Sequence, residues 1–297
     1  MSNHKLITSF VCLFLLNIVK AQDQDKSATI GLFTGTINYQ GDLNPNSFTF
    51  RHSNLSIGLI YRKPLNRWFT FRAGAQMGTI EAADKWNRGY LKPRNLSFFT
   101  SIKEAHIGLE LTLLDISTKR FTPYMYGGIA FFHFNPWTYD NSGKKTYLQP
   151  LSTEGQGLPQ FPTQKPYQLT QFVLPFGVGG KFAVSPSVNV GIEFSQRKSF
   201  TDYIDDVSSF FVDQNILLQA KGPKAIELSY RGDEVPGGVQ TYPSHGDQRG
   251  TPSEMDWYYF FGATIEIKLG DIGNIFSSFG NNKSYASIRC PRHMNYY

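Results

Sequence analysis

Residues 171–197 read QFVLPFGVGGKFAVSPSVNVGIEFSQR, and their spacing decides the architecture. In the first half Phe172, Leu174, Phe176 and Val178 share one parity, while Gln171, Gly177, Gly179 and Lys181 share the other. In the second half Val188, Val190, Ile192 and Phe194 oppose Asn189, Gly191, Glu193, Ser195 and Arg197. A period of two marks strands whose faces meet different surroundings. Residues 183–187 leave room only for a tight antiparallel turn, so the stretch is a β-hairpin. A soluble sandwich would turn the apolar face inward. A second face of Lys, Glu and Arg beside repeated Gly suits instead the inner wall of a membrane barrel, with hydrocarbon outside and a small polar lumen inside.

The same alternation recurs outward from the hairpin. It predicts strands over 28–39, 54–62, 69–78, 104–113, 122–135 and 256–269, which makes eight with the hairpin. In 54–62, Leu55, Ile57, Leu59 and Tyr61 oppose Ser56, Gly58 and Arg62; in 104–113, Ile107, Leu109 and Leu111 oppose Glu104, His106, Gly108 and Glu110. Connections alternate long and short, with long irregular stretches at 136–166 and 198–255. That asymmetry predicts an eight-stranded antiparallel transmembrane β-barrel with short periplasmic turns, long extracellular loops and both mature termini in the periplasm. Tyr61, Trp68, Trp257 and Tyr259 fall near strand ends, where an aromatic girdle is expected.

The chain has 297 residues, 40% hydrophobic and 15% aromatic, and past its first residues it holds no apolar run of helix-spanning length. Residues 1–21 read as a secretory signal peptide: Lys5 supplies the positive start, 6–19 the apolar core and Val19-Lys20-Ala21 the cleavage site. The expected division is signal 1–21, barrel 22–269 and periplasmic tail 270–297. Cys12 leaves with the signal, so the mature chain keeps Cys290 alone and forms no internal disulfide. The formal charge of +6 comes from scattered Lys and Arg. In an exported chain it reads as surface charge toward outer-membrane lipids or partner proteins, with no nucleic acid expected.

Eight strands enclose a lumen that side chains fill. The inward charges are Arg62, Arg72, Lys181, Arg197 and Lys268 against Glu104, Glu110, Glu193 and Glu266, and buried charges require partners. A plug of cross-barrel ion pairs is therefore expected, with glycines such as Gly31, Gly74 and Gly191 making room for it. No GxSxG, HExxH, P-loop or CxxC occurs. His106, between two glutamates, reads as a member of that network. No catalytic, cofactor or metal site is expected: Asp202, Asp205 and Asp206 read as a solvated cluster at a loop start, and Arg231-Gly232-Asp233 as a chance tripeptide.

Several stretches together resemble the PorG-like outer-membrane barrels of the Bacteroidota type IX protein secretion system. They are Asn38-Tyr39-Gln40-Gly41-Asp42-Leu43, Phe132-His133-Phe134-Asn135-Pro136, Thr201-Asp202-Tyr203-Ile204-Asp205-Asp206-Val207-Ser208 and the terminal Cys290-Pro291-Arg292. The resemblance spans nearly the whole mature chain, and the last two stretches are the specific ones. It implies a non-enzymatic role, anchoring a periplasmic ring built of a lipoprotein and its partner to the outer membrane. It also gives Cys290 a role as a disulfide tether to that lipoprotein, since an oxidising compartment allows one. The competing expectation is a surface receptor or adhesin that binds through its long outer loops.

Overall fold

The computed structural model describes residues 27–272, other than 48, 50, 51, 88, 115, 117 and 118; the expected signal segment, most of the expected tail and Cys290 lie outside the described residues. Ten strands are present: β1 (Thr29–Gln40), β2 (Asn54–Pro64), β3 (Phe69–Ala83), β4 (Ser97–Thr112), β5 (Phe121–His133), β6 (Trp137–Tyr139), β7 (Lys145–Tyr147), β8 (Thr170–Ala183), β9 (Val188–Ser199) and β10 (Trp257–Lys268). The eight long ones form one antiparallel sheet that closes on itself: β1 pairs with β10 and β3 with β4. Closure removes the sheet edges, which lipid would otherwise leave without hydrogen-bond partners. The 171–197 stretch is the β8–β9 hairpin, with Gly179 opposite Glu193.

Side-chain directions follow the alternation. Leu59 is 57% and Ile192 61% exposed on the outer face, and Ile57, Ile107, Leu109 and Ile265 stand out beside them. Arg72, Glu110, Glu193 and Arg197 are fully buried inside. Apolar outside and charged inside is the inverse of a soluble core and the arrangement of a membrane-spanning barrel. No helix among the described residues is long and apolar enough to cross a membrane.

The interior is layered, as β10 shows from one end to the other. Glu266 lies among the charges near the short turns, Tyr258 and Phe260 stand in an aromatic storey above them, and Asp256 enters the long loops. In that storey Phe260 meets Phe33 edge-on at 6.1 Å and Phe132 stacks on Phe134 at 5.3 Å. Glycine makes the close approaches possible: a Cβ on Gly179 would lie 2.4 Å from the Tyr124 ring, and one on Gly31 would lie 2.5 Å from Cγ of Glu266.

Three details differ from the sequence expectation. β4 starts at Ser97 rather than 104, because Phe98, Thr100 and Ile102 carry the inward alternation onward against an equally tall β3. The long loops are not irregular throughout. The β6–β7 hairpin occupies part of 136–166, and two helices, α1 (Gln214–Lys221) and α2 (Pro223–Ser229), form within 198–255. The Asp213 carboxylate caps α1 by accepting from the Asn215 and Ile216 amides, and Leu217 buries against Leu158, Val212 and Ala225. Finally, Tyr259 is no open girdle residue: it is 1% exposed, and its hydroxyl donates to the Thr49 carbonyl of the β1–β2 loop.

Candidate functional site

The lumen network is built on Glu193, which β9 points into the barrel. Arg72 from β3 donates to both of its oxygens, at 2.6 and 2.7 Å. Arg62 from β2 adds a contact at 3.2 Å, and the Tyr124 and Tyr126 hydroxyls of β5 donate at 2.8 and 3.2 Å. Arg62 also donates to Glu110 at 2.8 Å and pairs with Glu266, while Lys181 pairs with Glu110. One storey up, Arg197 grips Glu104 through Nε at 2.8 and 3.0 Å, and the Tyr258 hydroxyl donates to the same carboxylate at 2.8 Å. Arg197 reaches Gln76 at 2.8 Å as well.

Eight of the nine charges expected in the lumen therefore meet one another. Four cations, Arg62, Arg72, Lys181 and Arg197, face four carboxylates, Glu104, Glu110, Glu193 and Glu266. The ninth, Lys268, stands half-buried at the rim of the turn end, in the wall of a cavity there. His106 joins as a relay between storeys. Arg72 donates to its Nε2 at 3.3 Å, so Nδ1 carries the ring proton, 3.3 Å from Glu104. Chemically this is a locked, charge-balanced plug in which each ion's hydration is replaced by protein partners.

The opposite end carries a second polar centre. Asp202, Asp205 and Asp206 are not solvated: they are 4%, 1% and 1% exposed, folded beneath the long loops. Asp205 accepts from the Leu43 and Val207 amides at 3.2 and 2.9 Å, and Asp256 from the Ile204 amide at 2.8 Å. The Tyr39 hydroxyl sits between these two carboxyls, 2.7 Å from Asp205 and 2.6 Å from Asp256. It has one hydrogen to give, so the second contact requires a proton on a carboxyl.

Burial pushes Asp205 and Asp256 well above the usual carboxylate range, and neighbouring charge adds to it: Asp42 acts on Asp205, and Asp205 then Asp202 act on Asp256. The same cause, burial first, pushes Asp202 up to about 9 and Asp206 up to about 6. Asp206 adopts a left-handed backbone, φ 67°, held by the Thr153 and Tyr167 hydroxyls at 2.6 Å each. Glu154 gathers the Ser208 and Ser209 amides and Arg249, all within 3.0 Å. Arg94, paired with Asp84 at 2.7 Å, donates to the carbonyls of Asp42 and Arg249. These bonds sew four remote loops into a cap.

Sequence reasoning did not find the partners in this cap. Tyr39, Glu154, Arg249 and Asp256 lie far apart in the chain, and their only sequence signal is the Tyr-Gln-Gly-Asp and Asp-Asp segments themselves. No cluster of three or more His, Cys, Asp or Glu among the described residues is arranged to hold a metal ion. The Arg231-Gly232-Asp233 tripeptide is partly spent, since Arg231 pairs with Glu234 at 2.8 Å and donates to the Tyr139 carbonyl.

Comparison with solved structures finds bacterial outer-membrane barrels. Neisserial surface protein A has 8% identity and a TM-score of 0.40, covering 82% of this chain and 97% of that one. Ail, the attachment invasion locus protein of Yersinia pestis solved with the heparin analogue sucrose octasulfate, has 7% identity and a TM-score of 0.37, covering 81% and 98%. OprG of Pseudomonas aeruginosa has 9% identity and a TM-score of 0.35, covering 82% and 98%. The barrel assignment itself rests on the closed strand pairing and the two-faced wall. No curated protein matches the sequence significantly. A family model does, over residues 4–216, and the chain belongs to that family, described as Domain of unknown function (DUF6089).

Proposed function

We propose that this outer-membrane barrel is a non-enzymatic component of the type IX protein secretion system. Its short turns face the periplasm, and it anchors the periplasmic lipoprotein ring to the membrane. One observation carries the reading: the lumen is closed twice, by the balanced plug around Glu193 and by the loop cap sewn through Asp205 and Asp256. A sealed barrel passes no cargo, so its work is done at its ends, as an anchor's is. The resemblance of the 201–208 and 290–292 segments supplies the assignment to this secretion machine. Cys290 is the proposed covalent tether to the ring lipoprotein.

Deleting the chain is expected to abolish secretion of type IX cargo, with the plasmid-borne chain restoring it. In non-reducing gels of membranes a high-mass band is expected that the Cys290→Ser variant loses; a band unchanged by that substitution removes the tether. A second reading has an observation of its own. Loops 134–169 and 200–256 carry a folded headpiece with a small core around Leu217, a suitable frame for a surface receptor or adhesin. Intact secretion with lost surface binding on deletion favours that reading over the machine part.

A further inference from the structure

At the turn end the lumen opens below the charge network into a cavity of about 610 Å³. Arg62, Lys181 and Glu266 form its floor, already engaged with one another and with Glu110. Among the described residues the remaining charges in its wall carry the same sign: Arg67, Lys119 and Arg120, with Lys268, itself already engaged, beside them. Arg67, Lys119 and Arg120 are exposed and make no ion pair among the described residues.

The rim is set in place rather than loose. The Ala183 amide donates to the Arg120 carbonyl at 2.7 Å, joining two turns, and the Lys268 amide donates to the Ser187 carbonyl at 3.0 Å. The Thr112 amide donates to the Trp68 carbonyl at 2.7 Å, and the Arg67 guanidinium lies 4.4 Å from the centre of the Trp68 ring. Three like charges, Arg67, Lys119 and Arg120, held around one concavity repel each other, and low-dielectric walls focus their field outward along the barrel axis. Such a site is paid for by an anion that binds there.

The size of the cavity selects among anions. At about 610 Å³ it is in the range of ligand pockets of roughly 300–1,000 Å³ and far larger than an inorganic ion. It opens inside the wall of strands, where lipid headgroups on the outer face do not reach. Residues 273–297 are the wrong sign to fill it: they contain Lys283, Arg289 and Arg292 and no Asp or Glu.

We propose that this basic vestibule receives an acidic segment of a periplasmic partner protein, whose Asp or Glu carboxylates pair with Arg67, Lys119 and Arg120. The inference rests on the reading that the short turns face the periplasm. It makes the vestibule a docking point separate from the Cys290 tether.

The test uses the full chain refolded in detergent micelles and a fluorescent ten-residue peptide of alternating Glu and Ser, with its Gln-Ser counterpart as control. Anisotropy is expected to show the Glu peptide binding at least tenfold tighter than the Gln peptide. That preference is expected to weaken steeply in 0.5 M salt, on the order expected for screened exposed charges. The triple variant Arg67→Glu, Lys119→Glu, Arg120→Glu changes only exposed side chains and is expected to lose at least tenfold in affinity while keeping the folded gel mobility. Equal binding of both peptides, or an unaffected triple variant, overturns the proposal. So does displacement of the peptide by millimolar inorganic phosphate, which marks a small-anion site.

Residues 22–26 contain Asp23 and Asp25 just before the cavity-lining Ser27. If Asp23→Asn with Asp25→Asn raises the peptide affinity tenfold, the chain's own start is the occupant and the partner proposal falls. Orientation is read separately. Lys119→Cys is expected to resist a membrane-impermeant maleimide on intact cells and to react after permeabilisation. Labelling from outside overturns the periplasmic reading even where the peptide binds in micelles.

Discussion

Replacing Glu193 by Gln removes one negative charge from a space that water does not enter while leaving the side-chain volume nearly unchanged. Glu193 is fully buried and accepts five hydrogen bonds from Arg72, Arg62, Tyr124 and Tyr126. In the variant the lumen holds four cations against three carboxylates. Arg62 keeps Glu110 and Glu266. Arg72 keeps no carboxylate: what remains to it is the neutral amide oxygen of the new side chain, neutral His106 at 3.3 Å and the Tyr126 ring, 3.7 Å from its guanidinium carbon. Breaking a buried pair by removing one partner costs about 3–5 kcal/mol, because the surviving charge stays desolvated.

The cost is read from urea unfolding of the barrel refolded in phospholipid vesicles, followed by tryptophan fluorescence and by the mobility difference between folded and unfolded chains. With a slope of about 2 kcal/mol per molar urea, the midpoint falls by about 2 M. The double variant Arg72→Met, Glu193→Gln removes the orphaned charge and recovers a substantial part of the loss, since a buried ion pair replaced as a unit is often close to neutral. A Glu193→Gln midpoint equivalent to less than about 0.5 kcal/mol, the ordinary scatter of surface substitutions, refutes the plug as a source of stability. A double variant less stable than the single one refutes the bookkeeping.

Two further outcomes follow from the wall and the cap. Leu59→Arg places a charge on the outer face of β2, where the side chain is 57% exposed to hydrocarbon, and should cost about 2–4 kcal/mol in vesicles; equal stability there would mean the band does not face lipid. In the cap, Asp206 is raised from 3.8 to about 6 and Asp202 to about 9. An acid whose pKa is higher folded than unfolded supports the fold fully below pH 4 and withdraws that support as pH rises through its folded value, here about 6 and then about 9. For Asp206 this amounts to about 3 kcal/mol. Amide exchange over residues 200–212, corrected for intrinsic rates, should lose protection between pH 5 and 8.5, and Asp206→Asn should flatten the lower part of that profile. Protection that holds or rises with pH contradicts the sign.

The barrel was legible because a membrane wall sorts side chains with a period of two and leaves no third environment. Ile57, Leu59 and Ile192 had to face lipid once Gly58, Glu193 and Arg62 could not. The pairing of the lumen charges was legible as a requirement, since four cations in a closed space demand four carboxylates, but their partners were not, because register across eight strands decides them. Lys268 shares the inward parity yet lies at the rim, where β10 ends and the lumen widens. The cap was illegible for a different reason. Its bonds join a tyrosine to carboxyls 166 and 217 residues away and carboxylates to backbone amides, and neither leaves a periodic trace. An acidic run read in isolation looks solvated; only the folded loops show that Asp205 and Asp256 share one hydroxyl.

The three polar regions solve different electrostatic problems along one axis. In the middle the signs balance four to four, so the charges hold one another and the lumen gains no net field. At the long-loop end carboxyls outnumber the arginines Arg94 and Arg249, and the excess is met by backbone amides and by protons rather than by counter-ions. At the turn end the exposed charges of the described cavity wall, Arg67, Lys119 and Arg120, are positive and line a concavity. A barrel built to conduct would keep one sign of charge along an open path. This one quenches its field in the interior and within the cap, and at the turn end the described cavity wall keeps exposed positive charge.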